Sequence, residues 1–577
     1  MWLIRSGRHS STALGRPSPE CSIMVVIAWF ALANICAFAT LAGAEACDSN
    51  RTLFVRGSPI TGGVNGIVFD GQDRLYAASV FSSEIVVLDP SNGEILERYG
   101  KERGVENPDD LFVSPDGSIF WTAIFTGDVG RLWPNGEGRV VAKLGPGVNP
   151  ITMSDDGRLF VGLCFFGNGL YEVDPEGARA PRSVTDELTG ECSINGMDFG
   201  PDGRLFGPTF FNGTVVGVDV DDGEVEVVGK GFDRPVALKF DGRGVAHVLD
   251  LANLSVSSLD VSTGRVGNVR TLSDQHSPDN LAFDSADRLF VSHQDSAILE
   301  IMGNGSMRAV LPGGLTNPSG LAVVARPDGG ESVFAGSMTS MNEFDGATGE
   351  LIYAWTANFE GSDFQGTFTM ATDGSRLLVT TAFTNSVQIL DPVARSILVT
   401  RMDFDTPLNA IFFRDGFLVS EMGSEGVVLA SVSNSSQRTV LARDLGLFTG
   451  LAATEDNAWG VEWTNGSLFQ LVKDGSPVGE PVVVATGLQR PEGMAVWRDG
   501  RLLVVETGAG RLSLVDPKSG DKVVVEEGLA LGLEALPQQV PTWTFSDVAV
   551  SPSGSVYVNS DKDNALYRID IEGCTRE

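Results

Sequence analysis

The sequence has few residues of the types that most nucleophile and transition-metal chemistry needs. It holds four histidines and six cysteines in 577 residues, and 75 acidic side chains outnumber 41 basic ones. The signatures G-x-S-x-G, H-E-x-x-H and C-x-x-C are absent, as are phosphate-binding and dinucleotide-binding loops. These absences disfavour serine esterases, zinc proteases and nucleotide-dependent enzymes. The net charge of −34 argues against a nucleic-acid partner, because phosphate would be repelled.

Long apolar runs are also scarce, and the one obvious run lies near the start of the chain. Residues 22–44 carry no charge, three arginines precede them, and two Ala-x-Ala sites follow within residues 42–46. This layout is typical of a secretory signal, although the run is long enough to span a bilayer as an uncleaved anchor. We therefore expect residues 1–46 to be a signal peptide or an N-terminal anchor. The remainder would be secreted or extracytoplasmic, and bound to a membrane only if the leader stays uncleaved.

Glycine is abundant, with 69 residues, and it falls between short apolar runs. Residues 195–228 predict four short strands separated by turns such as Pro201-Asp202-Gly203 and Asn212-Gly213, where Gly and Asn tolerate the positive φ of tight hairpins. Similar copies recur about every 44 residues, the length of a four-stranded propeller blade. We call the residue that opens each first strand the leading residue. The twelve leading residues are Asn65, Asp109, Asn149, Asn195, Val236, Asp279, Ser319, Gly366, Asn409, Thr449, Glu492 and Ser546.

The repeats predict an all-β fold, a β-propeller of twelve four-stranded repeats. Twelve blades exceed the roughly four to eight of a usual ring, so we expect two six-bladed propellers, with one twelve-bladed ring as the alternative. The WD dipeptide pattern is absent, which argues against the WD40 class. We assign residues 47–312 to repeats 1–6 with an N-terminal closing strand, and residues 313–577 to repeats 7–12.

Four cysteines follow the leader, and an even number in an exported chain suggests disulfides. Repeat 12 lacks a fourth strand, which the run after Cys47 can supply antiparallel to the strand before Cys574. We therefore predict a Cys47–Cys574 disulfide, and then a Cys164–Cys192 disulfide, with two buried free thiols as the alternative for the second pair. If the N-terminal strand closes repeat 12, repeats 1 and 12 are expected to share a ring.

The leading residues are the first candidates for a functional site, because the first strand of each blade lines the central channel. In repeats 1–6 five of the six offer side-chain oxygens to one axis: Asn65, Asp109, Asn149, Asn195 and Asp279. Such a ring suits Ca²⁺, which binds six to eight oxygens, some of them from water. A polar channel mouth that holds only water is the alternative. In repeats 7–12 the acids near the mouth, such as Glu421, Glu462, Glu506 and Asp561, predict either a second cation site or an acidic rim open to water.

Two of the three histidines beyond the leader belong to repeat 6. His276 precedes the first strand and His293 ends the second, so both are expected at the same mouth as Asp279. Asp279 and His293 are therefore the best acid–base candidates in the chain, although a structural role for His293 is an equal alternative. His247 lies in mid-strand, and we expect it to be structural.

Three segments carry a resemblance to a known family: SINGMDFGPDGRLFGPTFFNGTVVGVDVDDGEV, SPDNLAFDSADRLFVSH and RPEGMAVWRDGRLLVVETGAGRLSLVDPKSG. They resemble the SMP-30/gluconolactonase-like β-propellers, with wider similarity to NHL repeats. The resemblance implies a divalent cation, usually Ca²⁺, at the channel mouth, and the hydrolysis of lactones. Its Glu, Asn and Asp ligands match Glu492, Asn195 and Asp279 here, and Asn65 also fits. Twelve repeats depart from the six of that family. Two further segments, SIFWTAIFTGDVGRL and AWGVEWTNGSLFQL, faintly resemble streptogramin lyases.

Three functions are therefore expected. The first is an exported, Ca²⁺-dependent hydrolase of a lactone or related ester, in which the cation polarises the carbonyl group and Asp279 or His293 activates water. The second is a non-catalytic propeller that binds a carbohydrate, a peptide or a protein. The third is a lyase of cyclic esters. In each case the partner is a small-molecule substrate or an extracellular ligand.

Overall fold

The computed structural model describes residues 46–575, except for 274–275, 358–362, 383, 433, 435–436, 536–541 and 543. The predicted signal peptide lies outside the described residues. Within the described part, helical structure is limited to one turn of 3₁₀ helix, Lys101–Arg103. None of the described segments is a helix with the length and apolarity of a membrane span.

The strands end where the sequence places Asp, Asn and Gly. In the turn after β4 (Glu84–Leu88), the Asp89 carboxylate accepts a hydrogen bond from the amide of Ser91 at 2.8 Å, and Asn92 accepts one from the amide of Glu94 at 2.8 Å. Gly93 then adopts φ +73°, a conformation that disfavours residues with a Cβ. Local side-chain bonds and a left-handed glycine therefore fix the hairpin, as the turn pattern predicts.

In the described part of the chain, forty-eight strands form twelve four-stranded antiparallel sheets, which confirms the predicted all-β propeller repeats. Sheets 1–6 are as follows. Sheet 1 contains β2 (Ile67–Phe69), β3 (Leu75–Ser79), β4 (Glu84–Leu88) and β5 (Ile95–Tyr99); sheet 2 contains β6 (Pro108–Val113), β7 (Ile119–Ala123), β8 (Asp128–Leu132) and β9 (Gly138–Lys143); sheet 3 contains β10 (Val148–Met153), β11 (Leu159–Leu163), β12 (Gly169–Val173) and β13 (Arg182–Thr185). Sheet 4 contains β14 (Asp198–Phe199), β15 (Leu205–Thr209), β16 (Thr214–Val218) and β17 (Val225–Lys230); sheet 5 contains β18 (Pro235–Phe240), β19 (Ala246–Asp250), β20 (Ser255–Asp260) and β21 (Arg265–Thr271); sheet 6 contains β22 (Pro278–Phe283), β23 (Leu289–His293), β24 (Ala297–Ile301) and β25 (Met307–Pro312).

Sheets 7–12 follow the same order, with one strand supplied from the start of the chain. Sheet 7 contains β26 (Ser319–Ala325), β27 (Glu331–Gly336), β28 (Ser340–Asp345) and β29 (Leu351–Thr356); sheet 8 contains β30 (Thr369–Thr372), β31 (Leu377–Thr381), β32 (Ser386–Asp391) and β33 (Ser396–Arg401); sheet 9 contains β34 (Pro407–Phe413), β35 (Gly416–Glu421), β36 (Gly426–Ser431) and β37 (Arg438–Ala442). Sheet 10 contains β38 (Phe448–Ala453), β39 (Ala458–Glu462), β40 (Ser467–Lys473) and β41 (Ser476–Ala485); sheet 11 contains β42 (Pro491–Val496), β43 (Leu502–Glu506), β44 (Arg511–Val515) and β45 (Lys522–Glu527); sheet 12 contains β46 (Val548–Val550), β47 (Val556–Ser560), β48 (Ala565–Thr575) and β1 (Ala46–Arg56).

Within sheets 1–6 and within sheets 7–12, a hydrophobic core lies between each sheet and the next, and one further core closes each series into a cycle. Ile67 and Leu75 of sheet 1 pack with Phe290 and Ile298 of sheet 6. In the same way, residues of sheet 7 such as Leu321 pack with residues of sheet 12. First-strand contacts follow the same two cycles, since β2 contacts β22 and β26 contacts β46. This arrangement is consistent with two six-bladed propellers, which we call the first cycle (sheets 1–6) and the second cycle (sheets 7–12).

The N-terminal strand closes sheet 12, as predicted. β1 pairs antiparallel with β48 in a register that sets Cys47 opposite Cys574, and these cysteines form a disulfide. Cys164 and Cys192 form the second disulfide, so the predicted pairs are confirmed and the alternative of two free thiols is wrong. Disulfides are typical of proteins in oxidising environments such as the extracellular space.

The cycles correct one expectation about the path of the chain. Sheet 12 holds β1 but contacts sheets 7 and 11, whereas sheet 1 contacts sheets 2 and 6. Sheets 1 and 12 therefore lie in different cycles, and the expectation that they share a ring is wrong. The closing strand, which we assigned with residues 47–312, pairs within the second cycle. From β1 in the second cycle, the described chain passes through all of the first cycle and returns. The domain boundary at 312/313 stays a prediction.

The two connections between the cycles run side by side at Asn564. The amide of Gly57 donates to the Asn564 carbonyl at 2.6 Å, and the amide of Ser58 donates to the Leu315 carbonyl at 3.1 Å. The Asn564 side chain, which is fully buried, donates to the Ser58 carbonyl and accepts from the amide of Asn317. One asparagine thus holds both connecting segments.

Candidate functional site

The leading residues and the ends of the second strands lie at the same end of each sheet, because the two strands are antiparallel. In sheet 2, Pro108 pairs with Ala123, so Asp109 lies beside the end of β7. In sheet 6, Pro278 pairs with His293, so Asp279 lies beside the end of β23. The carboxylates and the histidine that the sequence proposes therefore share one end of the first cycle.

Asp109, Asp279 and Asn65 form the centre of this site. Asn65 Nδ2 donates to Asp109 Oδ1 at 2.7 Å, and Gln294 Nε2 donates to Asp279 Oδ1 at 3.3 Å. Burial, followed by the charges of Asp279 and Asp110, raises the pKa of Asp109 well above its usual value. Burial also raises the pKa of Asp279 to about 7 in spite of the bond from Gln294, and the charge of Asp110 acts in the same direction. Asp109 is thus buried and Asp279 half-buried, and no cationic side chain is among the causes of their pKa shifts.

Asp110 was not among the predicted site residues, and its contacts are structural. Its carboxylate accepts bonds from the amides of Leu111 and Ile151 and, at 3.2 Å, from Nδ2 of Asn280 in sheet 6. This one side chain therefore joins sheets 2, 3 and 6 near the axis. Asp198 and Asp547 bond the amides of the next sheets, Phe240 and Leu321, in a similar way. The adjacent acids Asp109 and Asp110 are the sequence feature that could have indicated a role for Asp110, but only Asp109 is a leading residue.

His293 is fully buried, and neither ring nitrogen has a hydrogen-bond partner among the described residues. Burial lowers its pKa to about 4, so the ring is neutral near pH 7. The His276 ring lies 5.3 Å away, between centroids, and its Nδ1 is 2.6 Å from Oδ2 of Asp295. Burial acts to lower the pKa of His276, but the hydrogen bond and charge of Asp295 outweigh it, and that pKa is raised. Both histidines therefore reach the end of sheet 6 where Asp279 lies.

Of the buried polar atoms that lack a hydrogen-bond partner in the described part of the chain, five lie at this end of the first cycle, while others lie in the second cycle, for example on Thr367, Thr544 and Ser546. Asp109 Oδ2, Gln294 Oε1 and Thr126 Oγ1 are buried without a hydrogen-bond partner among the described residues, as are both nitrogens of His293. Buried polar groups are usually paired, and each unpaired group costs about 1–3 kcal/mol. Their grouping indicates a place where a ligand supplies the missing partners.

The other two predicted cation ligands of the first cycle, Asn149 and Asn195, differ from the two acids at the centre of the site in their hydrogen bonding. Asn195 is buried, and its Oδ1 accepts a bond from the amide of Gly196 at 3.0 Å. Asn149 is half-buried, and its backbone carbonyl accepts a bond from Thr122 Oγ1 at 2.5 Å. Both residues lead first strands of the first cycle. Val236, which leads sheet 5, brings no side-chain oxygen.

Glu492 belongs to sheet 11 in the second cycle, and the structure does not bring it together with Asn65, Asp109, Asn149, Asn195 and Asp279. It is fully buried and accepts hydrogen bonds from Thr542, Thr507 and Trp463 and from the amide of Ser546, at 2.7–3.4 Å. Burial, followed by the charge of Asp561, raises its pKa to about 8. Any cation at Glu492 would therefore occupy a separate site.

The acids at the second-strand ends of the second cycle do not form a rim open to water, so that expectation is wrong. Glu421, Glu462, Glu506 and Asp561 are all buried. Glu506 forms two bonds with Arg511, while Glu462 accepts bonds from the amides of Thr464 and Asn465. These carboxylates stabilise their own turns.

The residues of the first-cycle site suit a hard cation better than a transition metal. Asp109, Asp279 and Asn65 provide carboxylate and amide oxygens, which are the ligand types of Ca²⁺. Asp109 Oδ2 has no hydrogen-bond partner among the described residues. Among the described residues, no group of three or more His, Cys, Asp and Glu side chains has the arrangement of a metal site. Asparagine and water would have to complete the coordination.

His247 has a structural setting, as expected from its position in mid-strand. Its Nε2 lies 3.1 Å from Oδ2 of the buried Asp241, and its ring packs against Phe283 with centroids 4.9 Å apart. It offers a matched control for His293.

Comparisons with known proteins give structural likeness without a family assignment. No family profile matches the chain, and no curated protein matches it. A streptogramin B lyase structure is 16% identical over 50% of this chain and 94% of its own, with a TM-score of 0.36. A putative gluconolactonase is 14% identical over 48% of this chain and 98% of its own, with a TM-score of 0.35. The extracellular domain of a putative one-component system from B. thetaiotaomicron is 11% identical over 92% of this chain and 83% of its own, with a TM-score of 0.34.

Proposed function

We propose that the first cycle carries a hydrolytic site for a lactone or related ester, of the SMP-30/gluconolactonase-like kind, in an exported protein. The supporting observation is the group of buried, unpaired polar atoms on Asp109, His293, Gln294 and Thr126 at one end of sheets 2 and 6. Enzyme sites often hold such groups, because substrate or cofactor completes their hydrogen bonds.

His293 and Asp279 are the residues that would handle protons. The nitrogens of His293 lack a protein partner, so either can accept a proton from a water molecule placed beside it. Asp279 accepts a hydrogen bond from Gln294 through Oδ1, which leaves its other oxygen for the same role. Asp109 and Asn65 would orient the reacting carbonyl group.

A divalent cation, Ca²⁺ by the resemblance, would be held by Asp109, Asp279 and Asn65, with Asn149 and Asn195 on the neighbouring sheets. When bound, it supplies the positive charge that polarises an ester carbonyl. Its charge would also offset the repulsion between the two carboxylates. Glu492 lies in the second cycle and is left out of this ligand set.

Thermal melts with Ca²⁺ and with EDTA test the cation. Ca²⁺ should raise the melting temperature of wild type and of Glu492→Gln but not of Asp109→Asn or Asp279→Asn, because only the last two lose a ligand. Equal melting temperatures of wild type in Ca²⁺ and EDTA would contradict the cation.

Hydrolysis of a lactone panel tests the reaction. His293→Gln and Asp279→Asn should each lower kcat about 10²–10⁴-fold, the usual contribution of a general acid or base. The matched control is His247→Gln, which removes a structural histidine and should change stability without a comparable loss of kcat. Equal rates for wild type, His293→Gln and Asp279→Asn would contradict the assignment, and elimination products would identify a lyase instead.

A non-catalytic binding propeller is the second candidate. It is favoured by one observation: among the described contacts, neither Asp279 nor another carboxylate is bonded to His293, so a base with its orienting partner is not preformed. Ligand binding without turnover, with normal affinity in His293→Gln, would support this candidate.

A further inference from the structure

Phenylalanine occupies one equivalent position in four consecutive sheets of the first cycle. The position lies two residues after the end of the second strand. Its occupants in sheets 1–4 are Phe81, Phe125, Phe165 and Phe211, while sheets 5 and 6 have Ala252 and Asp295. Four of six identical positions therefore carry the same apolar ring, on neighbouring sheets.

The rings form two contacting groups, one of Phe81, Phe125 and Phe166 and one of Phe165 and Phe211, which meet at the adjacent residues 165 and 166, and we call the five residues the phenylalanine arc. Ring centroids are 6.2 Å apart for Phe81 and Phe125, 6.1 Å for Phe125 and Phe166, and 6.3 Å for Phe165 and Phe211. Phe166 is 51% exposed and the other four are half-buried, so each ring keeps an exposed part, although Phe165 and Phe211 also pack against the core that contains Phe210 and Val236.

The arc lies at the same end of the sheets as the candidate site. Ala123 at the end of β7 pairs with Pro108, which is next to Asp109, and Phe125 follows Ala123 by two residues. The next residue, Thr126, has a hydroxyl group that is unpaired in the described part of the chain. A Cβ on Gly147, two residues before the leading Asn149, would lie 3.2 Å from the carbonyl carbon of Phe166. Apolar rings thus border the end where the buried polar atoms lack partners.

The second cycle does not repeat the pattern, so the rings are not a requirement of the fold. In sheets 7 and 9–12 the equivalent residues are Met338, Gly423, Thr464, Gly508 and Lys562, and in sheet 8 the sequence has Phe383, which lies outside the described residues. Partly exposed aromatic rings on four neighbouring sheets of the first cycle, against one phenylalanine at the six equivalent positions of the second, indicate a contact surface for a ligand.

We propose that the phenylalanine arc binds the apolar body of a ligand whose ester or lactone group lies against Asp109 and His293. The preferred substrates then carry an alkyl or aryl substituent and not a set of hydroxyl groups, because Phe rings offer apolar area and no hydrogen bonds to a sugar. The inference rests on the proposed function for the identity of the reacting group. It rests on the arc alone for the apolar body.

Two homologous series test this inference with the intact protein. The first series is γ-butyrolactone and its longer γ-alkyl homologues, with glucono-δ-lactone as the polyhydroxylated comparison, measured as kcat/KM. The second series is the corresponding alkyl γ-lactams, which resist hydrolysis, measured as Kd by calorimetry. For each buried methylene, kcat/KM should rise and Kd should fall by about fourfold, and glucono-δ-lactone should be the poorest substrate.

Variants then locate the effect. Phe166→Ala and Phe211→Ala should weaken binding of the octyl lactam about tenfold while leaving the unsubstituted lactam unchanged. Val393→Ala removes a side chain that is 68% exposed in the second cycle, and it should change neither value. Phe166 is exposed enough that its loss should leave the fold intact, which a melting curve would verify.

The outcomes separate the two proposals. Chain-length dependence for the lactams without hydrolysis of any lactone would overturn the proposed function and leave the arc's role standing. Hydrolysis with no dependence on chain length, or a dependence that Phe166→Ala and Phe211→Ala both preserve, would overturn the inference and leave the function standing.

Discussion

Glu492 shows how a single buried carboxylate can set the pH dependence of stability. Its pKa rises from 4.5 to about 8 on folding, because burial and then Asp561 disfavour the charged form. The folded protein therefore binds a proton that the unfolded chain releases, so this contribution to stability is full below pH 4.5 and is lost as the pH rises through 8.

Glu492→Gln should remove that loss. Gln can keep an oxygen toward the amide of Ser546 and direct its NH₂ group toward the hydroxyls of Thr507 and Thr542, so the fold should tolerate it. The free energy of unfolding, measured in denaturant with EDTA, should fall less for the variant than for wild type between pH 5 and pH 8.5. The difference should be at most roughly 4–5 kcal/mol.

The control for this experiment is Glu172→Gln. Arg158 and Arg182 lower the pKa of Glu172 to about 2, through a hydrogen bond from Arg158 first, so Glu172 stays ionised throughout this pH range. Its replacement should change stability by a similar amount at both pH values. Parallel curves for Glu492→Gln and wild type would contradict the prediction.

For single residues, the sequence identifies which side chains lead the first strands, but it does not show how deeply they are buried or which residues they contact. Asp109, Asp279 and Glu492 are all recognised as leading residues from spacing alone. Their separation into two cycles, and the role of Asp110 in joining Ile151 and Asn280, depend on contacts across as many as 170 residues. Burial of the acids in the second cycle was likewise not visible, because the same Asp and Glu pattern is typical of an exposed turn.

Sheet 12 shows that an element can be complete only when both ends of the chain meet. Its fourth strand is β1, and the Cys47–Cys574 disulfide joins the start of β1 to the end of β48 across 527 residues of sequence. The absence of a fourth strand after β48 and the two flanking cysteines made this pairing predictable. The hairpins were predictable for a different reason, because the Asp, Asn and Gly residues that form each turn lie within the hairpin itself.

Replacing Cys47 and Cys574 with Ser should destabilise the protein by about 4 kcal/mol, because the unfolded chain regains the freedom that a long crosslinked loop removes. Amide exchange should accelerate in β1, at Asn50–Val55, with sheets 1–6 unchanged. The matched pair is Cys164→Ser with Cys192→Ser, whose separation of 28 residues lies within the first cycle. That pair should accelerate exchange in sheets 3 and 4 instead, and the opposite pattern would contradict the assignment of β1.

At the scale of the whole molecule, the first cycle is an insertion between β1 and β26. The sequence indicates twelve repeats and two rings, but it does not show which sheets share a ring, because closure depends on cores such as that of Ile67 with Phe290. The closing strand by itself predicts that sheets 1 and 12 share a ring. The packing of sheet 12 against Leu321 of sheet 7 places them apart.

This topology predicts how fragments behave. Residues 58–314 hold all six sheets of the first cycle, so this fragment should fold alone and unfold cooperatively. Residues 315–577 lack β1 and should be markedly less stable than the same fragment preceded by residues 46–56 through a short glycine linker. The linker can be short because Ser58 bonds Leu315 directly and Gly57 bonds Asn564. Equal melting temperatures of the last two fragments would contradict the role of β1 in completing sheet 12. An unfolded 58–314 fragment would show that the first cycle needs the second to fold.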